Sequence, residues 1–438
     1  MTGSDDSEPD VDAEHGLTAQ AEDAVNADYK VLGYNTTPSG TTYGVLGQVD
    51  SSDGYGLGTP DDASVGGLLE ATAVEADRVS VSHTLPPHDV VGDDPQRAID
   101  ALGMLFDEPA WAAPRYRSGP THGETIPAFW GASLVPSGEV VFAPAESSTV
   151  GIFDPATDTY AAGPNHGEGD RAFRGSALAQ TGEVVFGPHK SANVGVYDPA
   201  TDTYTSGASH GEGDSAFMGA VLAPTGEVVF SPNQSAAVGV YDPVADSYTS
   251  GATHGEGGGA FQGAVLAPTG DVVFSPYASS HVGVYDPATD TYTSGASHGE
   301  GFGSFSGVAV APTGEVVFAP WNSSNVGVYD PATDTYTSGP SHGESTPAFS
   351  GATLSPTGEI VFVPYSASNV GVYDPATDTY STGPVHGEGN SPFVGATLTP
   401  SGEVVFVPYA ASNVGVMDTN AQTHKPRVTA LHPLVNNN

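Results

Sequence analysis

Seven His-Gly-Glu triplets, beginning at His122, His166, His210, His254, His298, His342 and His386, recur every 44 residues. Histidine and glutamate are both metal ligands, so coordination is the first chemistry to consider. Ligand bonds are only about 2.1 Å long, and copies separated by a whole structural repeat stand too far apart to share one ion. The triplets are therefore expected to serve the scaffold, with His packing or hydrogen bonding between repeats and Gly allowing a turn. Six copies of Asp-Pro-x-x-Asp-x-Tyr also present carboxylates. They lack the ligand density of a calcium loop, and turns capped by their own Asp are the expectation. The absence of cysteine removes thiolate metal sites and thiol nucleophiles. Glu146, Asp170 and Asp214 are lone acids, and His189 and His281 lie two repeats apart. No paired carboxylate or Ser-His-Asp set is formed, so no catalytic residue, metal site or cofactor is assigned and the chain is not expected to be an enzyme.

Repeats this similar allow an internal comparison, in which positions held constant maintain the scaffold and positions that differ are candidates for recognition. One such position follows a repeated Val-Phe-x-Pro or its variants, and reads Ala145, His189, Asn233, Tyr277, Trp321, Tyr365 and Tyr409. The next residue reads Glu146, Lys190, Gln234, Ala278, Asn322, Ser366 and Ala410. A third position follows the Phe found seven residues after each His, and reads Trp130, Arg174, Met218, Gln262, Ser306, Ser350 and Val394. Aromatic rings flanked by amides and hydroxyls suit a sugar or a polar protein surface, since rings give rigid apolar contact and amides give directional hydrogen bonds. The candidate ligand-binding set is Trp130, Arg174, His189, Lys190, Asn233, Tyr277, Trp321, Asn322, Tyr365 and Tyr409. Between Arg117 and Lys425 the only basic residues are Arg171, Arg174 and Lys190, all in the second repeat.

The elements that must position these residues are short strands. Each 44-residue period holds four β-like segments separated by Gly, Pro and Asp turns, the pattern of propeller blades rather than of helical solenoids. In the third copy the expected strands are a, 217–222; b, 227–230; c, 238–241; and d, 248–251. The a–b and c–d turns share one face and are monotonous; the b–c and d–a loops share the other and carry the diversity. The repeat is out of phase with the chain. Residues 116–119 align with strand d, whereas the last copy stops after strand c near Asp418. An unclosed sheet would expose an edge, so the segment at Tyr116 is expected to complete the last blade. The fold class is all-β: a seven-bladed β-propeller over 115–420, its ring closed by an N-terminal strand d.

The stretch VVFSPYASSHVGVYDPATDTYTSGASHGEG resembles a kelch-like propeller repeat of adhesive proteins, which implies a binding head. The segment GVLGQVDSSDGYGLGTPDDASVGG resembles Gly-rich modules in fibre and spike proteins of tailed viruses, haloarchaeal ones included. Ahead of the propeller, 1–28 reads as an acidic flexible arm with nine acids and no base. Residues 29–114 read as a small Gly-rich β stalk or base for oligomerisation and anchoring, with a short helix near 95–106. Residues 421–438 form a tail.

The 438-residue chain carries 52 acidic and 10 basic side chains, a formal charge of −42. The acids are spread over both parts, which argues against a nucleic-acid partner and for a setting of molar salt, where the Debye length shrinks to about 3 Å. Such a composition resembles halophilic archaeal and haloviral proteins. The N-terminus has no basic and apolar leader, and no apolar run is long enough to span a bilayer, so no membrane insertion is expected. Together these features suggest a fibre, spike or turret of a haloarchaeal virion. It would be assembled in the host cytoplasm as a homo-oligomer, trimer or pentamer, joined to other virion proteins through its N-terminal region. The head would bind a host cell-surface glycan or glycoprotein. A cellular carbohydrate-binding or scaffold propeller and a propeller hydrolase or lyase remain open alternatives.

Overall fold

The computed structural model describes residues 114–419 and, before them, six short strands between residues 11 and 83. These six form three separate antiparallel pairs, Val11–Asp12 with Gly16–Leu17, Gly33–Thr37 with Gly40–Gly44, and Leu69–Ala71 with Val81–His83. The expected helix near 95–106, the arm at 1–28 and the tail at 421–438 lie outside the described residues, apart from the first pair's two strands, which fall in the arm. The chain divides into a unit of 114–420 and a unit of the remaining residues.

Seven four-stranded antiparallel sheets make up the larger unit, each with strands in the order a-b-c-d. Blade 1 is Phe129–Leu134, Val140–Pro144, Thr149–Asp154 and Thr159–Asn165. Blade 2 is Phe173–Leu178, Val184–Pro188, Asn193–Asp198 and Thr203–Ser209. The next four blades repeat this arrangement every 44 residues. Blade 7 takes strands a to c from Phe393–Leu398, Glu403–Pro408 and Asn413–Asp418, and its strand d is Arg115–Thr121. The two strands from opposite ends of the propeller pair antiparallel with Gly415 opposite Ser118 and Met417 opposite Tyr116. The N-terminal clasp read from the phase of the repeat is therefore the closure of the ring.

In blade 3, strand a spans Phe217–Leu222 as expected, strand b starts one residue later and ends two later than expected at Val228–Pro232, and strands c and d extend at both ends to Ala237–Asp242 and Ser247–Thr253. The extra residues continue the ladder past a bulge, pairing Pro232 with Phe217 and Thr253 with Ala237. Strand b is buried throughout in blades 1 to 6, and from Val404 on in blade 7, which is why its Val-Val-Phe run shows no alternation. Strand d is mostly exposed, as an outer edge should be.

The core consists of seven apolar clusters, each straddling a seam between blades. At the seam of blades 2 and 3, Val185, Val194 and Val196 pack against Phe217, Val228, Phe230 and Tyr241. The closing seam uses Val405, Val407, Val414 and Val416 against Phe129, Phe142 and Phe153. Two glycine sets set the spacing. A Cβ on Gly239 of strand c would stand 2.7 Å from Cζ of Phe217, so the ring of strand a lies directly over that glycine. A Cβ on Gly131 near the axis would stand 2.8 Å from Cα of Gly175 in the next blade.

The His-Gly-Glu triplets act at the same seams. In the copy leading into blade 3, His210 Nε2 donates to the carbonyl of Ser191 in blade 2 at 2.8 Å, and Nδ1 accepts the backbone N–H of Glu212 at 3.1 Å. Its ring meets Phe217 and Tyr248 edge-on, at centroid distances of 5.7 and 6.0 Å. The Glu212 carboxylate accepts hydroxyl hydrogen bonds from Ser235 at 3.1 Å and Tyr248 at 3.3 Å. Burial, then the adjacent carboxylate, pushes the Tyr248 phenol above its ordinary range. The Asp-Pro turns cap themselves: Asp198 accepts the N–H of Ala200 and the hydroxyl of Thr201 at 2.8 and 2.7 Å. The turn's last Asp ties blades together, as Asp246 accepts both the Tyr241 hydroxyl and the N–H of Ala208 in the preceding blade.

Candidate functional site

The side chains that differ between repeats are held by backbone that does not. In each b–c loop the residue after the strand-b proline donates its N–H to the carbonyl just before the repeat Phe or a neighbour of it; for His189 the acceptor is Ala172 at 2.8 Å. The following Ser191 accepts the N–H of Asn193 and donates to Glu168. The residue after the Phe sits in a β-bulge between strands a and b, shown by the register shift between Phe173 and Ser176. A bulge re-aims its side chain out of the ladder, and here it turns the side chain toward the mouth of the central channel.

Five candidates are brought together in an arc around that mouth. Trp321 of blade 5 packs on Tyr365 of blade 6 with ring centroids 4.4 Å apart. Tyr365 approaches Tyr409 of blade 7 at 6.3 Å, and Tyr409 meets Trp130 of blade 1 edge-on at 5.2 Å. The Arg174 guanidinium of blade 2 lies over the Trp130 ring, 3.9 Å from its centroid. Its Nη1 donates to Met218 Sδ of blade 3 at 3.1 Å. Each of the four rings is half-buried, with Tyr365 and Tyr409 each flanked by two other rings of the arc and Trp130 covered on one face by Arg174. Rings held in this way bind with little loss of side-chain freedom.

Within the arc lies the channel, a cavity of about 160 Å³ lined by Trp130, Met218, Gln262, Ser306, Ser350 and a ring of Gly and small residues. Its polar side chains are already engaged: the Ser306 hydroxyl lies 2.8 Å from Gln262 Oε1 and 3.0 Å from the Ser350 carbonyl, and the Ser350 hydroxyl donates to the Phe393 carbonyl. The small residues leave room for water or a thin chain end at most, so an extended ligand would lie across the mouth.

Other candidates have different surroundings. His189 is buried, 5% exposed, with Nδ1 3.2 Å from the carbonyl of Phe217 in the next blade. Burial, with Arg174 nearby, holds its imidazole down to about 3, so it is neutral. Asn233 makes the equivalent contact to Phe261 O at 3.4 Å. These two side chains tie blades together, and for His189 that burial corrects its placement among surface contact residues. Tyr277 stands apart from the arc and pairs edge-on with the exposed Phe302 at 5.7 Å. Lys190 and Asn322 are exposed. Arg171, in the loop before blade 2, pairs with Glu146 at 2.9 Å. Sequence comparison passed over Phe302 and Met218 as contact residues; the hint was that each occupies a position that varies from repeat to repeat.

No protein-family model matches the chain, and no curated protein matches it in sequence. Solved structures do resemble it. A catalytically inactive virginiamycin B lyase from Staphylococcus aureus with quinupristin is 14% identical, with a TM-score of 0.60 over 70% of this chain and 99% of that one. A streptogramin B lyase is likewise 14% identical, with a TM-score of 0.60 over 70% and 98%. The hydrazine synthase of Kuenenia stuttgartiensis is 16% identical, with a TM-score of 0.56 over 69% and 98%. At these identities the shared property is the propeller fold.

Proposed function

We propose that the propeller is a recognition head whose ligand is a carbohydrate or a glycosylated surface, bound across the channel mouth by Trp130, Tyr409, Tyr365 and Trp321. The observation that carries this reading is the continuity of the arc: four aromatic side chains from four consecutive blades stand in contact on the face where the repeats diverge. Scaffold packing does not require them, since other blades hold Ala145, Asn233 or Gln262 at the same positions. A row of rings about 4 to 7 Å apart offers apolar platforms to successive sugar faces. In this reading the head has no catalytic role of its own.

The biological setting we propose is a fibre, spike or turret on a haloarchaeal virion, with host attachment by the head and oligomerisation and anchoring by the N-terminal region. It is supported by the −42 formal charge, which molar salt would screen, and by the Gly-rich segment of 29–67. Several heads on one particle would raise weak single contacts to firm attachment.

The test is adsorption of purified protein to haloarchaeal envelopes in molar salt. Replacing Trp321, Tyr365 and Tyr409 by Ala should weaken binding at least about tenfold, as expected when anchoring aromatics are lost, while circular dichroism stays native. Unchanged adsorption by the triple variant refutes the reading. Cleavage of an envelope polysaccharide by the wild type, lost in the variant, would replace it with a lyase or hydrolase.

A further inference from the structure

Three of the five basic residues in 114–419 fall in blade 2 and the loop before it: Arg171, Arg174 and Lys190. The other two, Arg115 and Arg117, belong to the clasp strand. Arg171 is neutralised by Glu146. Arg174 is not: its contacts are the Trp130 ring and the Met218 sulfur, neither of which is an anion. Its counterparts in the other blades are Trp130, Met218, Gln262, Ser306, Ser350 and Val394, so the scaffold places no demand for a cation there. Lys190 stands exposed close by and makes no ion pair among the described residues.

A half-buried guanidinium without a carboxylate is costly, and it is anomalous in a chain with 52 acids to 10 bases. No buried polar side-chain atom among the described residues lacks a partner. The remaining Arg174 nitrogens are therefore not fully enclosed, and no acceptor besides the Met218 sulfur engages the guanidinium among the described residues. Burial brings the group down only to about 10, so it is fully charged near neutrality. Lys190, Arg171 and Arg174 all lie within electrostatic range of His189. The planar fork of Arg matches the two oxygens of a carboxylate or sulfate, and Trp130 beneath it fixes the plane.

We infer that Arg174, assisted by Lys190, binds an anionic substituent of the ligand, a carboxylate or a sulfate ester on an acidic sugar whose rings lie on the aromatic arc. This rests on the carbohydrate reading above and specifies the chemistry at one end of it. Loss of the substituent should cost about ten- to a hundredfold in affinity, the range of one or two hydrogen bonds to a charged group.

Two measurements test it. Affinities for oligogalacturonate, a sulfated galactan oligosaccharide and a neutral galactan are compared for wild type, Arg174→Met and Trp321→Ala. Wild type should prefer one or both acidic probes by at least about tenfold, and the better of the two identifies the anion. Arg174→Met, which still covers Trp130, should bind all three alike, whereas Trp321→Ala should weaken all three and keep the preference. Equal binding of acidic and neutral probes by the wild type, or a preference that survives Arg174→Met, overturns the inference and leaves the carbohydrate reading standing. Separately, the Arg174 side-chain N–H signals are followed by NMR at constant ionic strength. Glucuronate or methyl sulfate should shift them and glucose should not; no shift with either anion overturns the inference even if no oligosaccharide binds.

Discussion

Tyr116 and Tyr248 make nearly the same contacts from strands that differ in how they are connected, which allows the clasp to be tested against an internal control. Tyr116 donates its hydroxyl to Glu388 at 2.9 Å and packs on Phe393, Phe406 and His386 at 6.1 to 6.3 Å. Tyr248 donates to Glu212 at 3.3 Å and packs on Phe217 and His210 at 6.1 and 6.0 Å. Both rings are partly buried, so replacement of either by Ala should cost about 3 kcal/mol, the lower end of the range for a core aromatic. That is roughly a hundredfold in the equilibrium for opening. At Tyr248 the strand stays tethered by the c–d turn of its own blade, so opening is local. At Tyr116 no turn joins the strand to blade 7, and the other ties include hydrogen bonds of the ladder, the Ser118 hydroxyl on Glu388, the Asn413 amide on the Gly119 carbonyl and the partly exposed Arg117 pairs with Asp158 and Glu403. Exposed pairs of that kind add only about 0.2–1 kcal/mol. Hydrogen exchange in molar salt should therefore show 115–121 and 413–418 accelerated by about two decades in Tyr116→Ala, with 217–242 unchanged. In Tyr248→Ala the acceleration should centre on 237–253 and spare the clasp. Exchange at 115–121 that is insensitive to Tyr116→Ala would refute the view that this strand closes the ring.

Two further substitutions probe the seams. Gly239→Ala places a methyl 2.7 Å from the Phe217 ring and should cost about 1–3 kcal/mol by overpacking, seen as a lower urea midpoint with unchanged slope; an unchanged midpoint would show that the ring has room to move. His189 is held at about 3 against an ordinary value near 6.5. The unfolded chain therefore takes up a proton that the fold refuses, and stability present above about pH 6.5 drains away toward pH 3 at up to about 1.4 kcal/mol per pH unit. His189→Asn, copying Asn233, should flatten that part of the pH profile; parallel profiles for wild type and variant between roughly pH 7 and 4.5 would contradict it.

The blades were readable because Gly and Pro punctuate strands locally, and the clasp because the repeat's phase is a one-dimensional property. The role of His210 was readable only in outline. Its carbonyl partner lies 19 residues back in the previous blade and its Tyr partner 38 residues ahead, a pairing that only the ring's curvature creates. Variation marked the position after the strand-b proline as a surface for contact, yet His189 and Asn233 use it to reach the next blade. Variation alone does not tell which way a side chain turns. The arc itself was foreshadowed by residue type at Trp130, Trp321, Tyr365 and Tyr409, but its continuity depends on the bulge after each Phe, which brings strand-a residues level with the b–c loops.

The bonds joining successive blades recur with nearly the same geometry from one seam to the next. Away from the clasp, a 44-residue unit is thus close to an interchangeable cassette: the histidine joints survive an exchange of loop tips, and only tips such as His189 and Asn233 carry a joint of their own. A head built this way can exchange much of what it touches without renegotiating how it holds together.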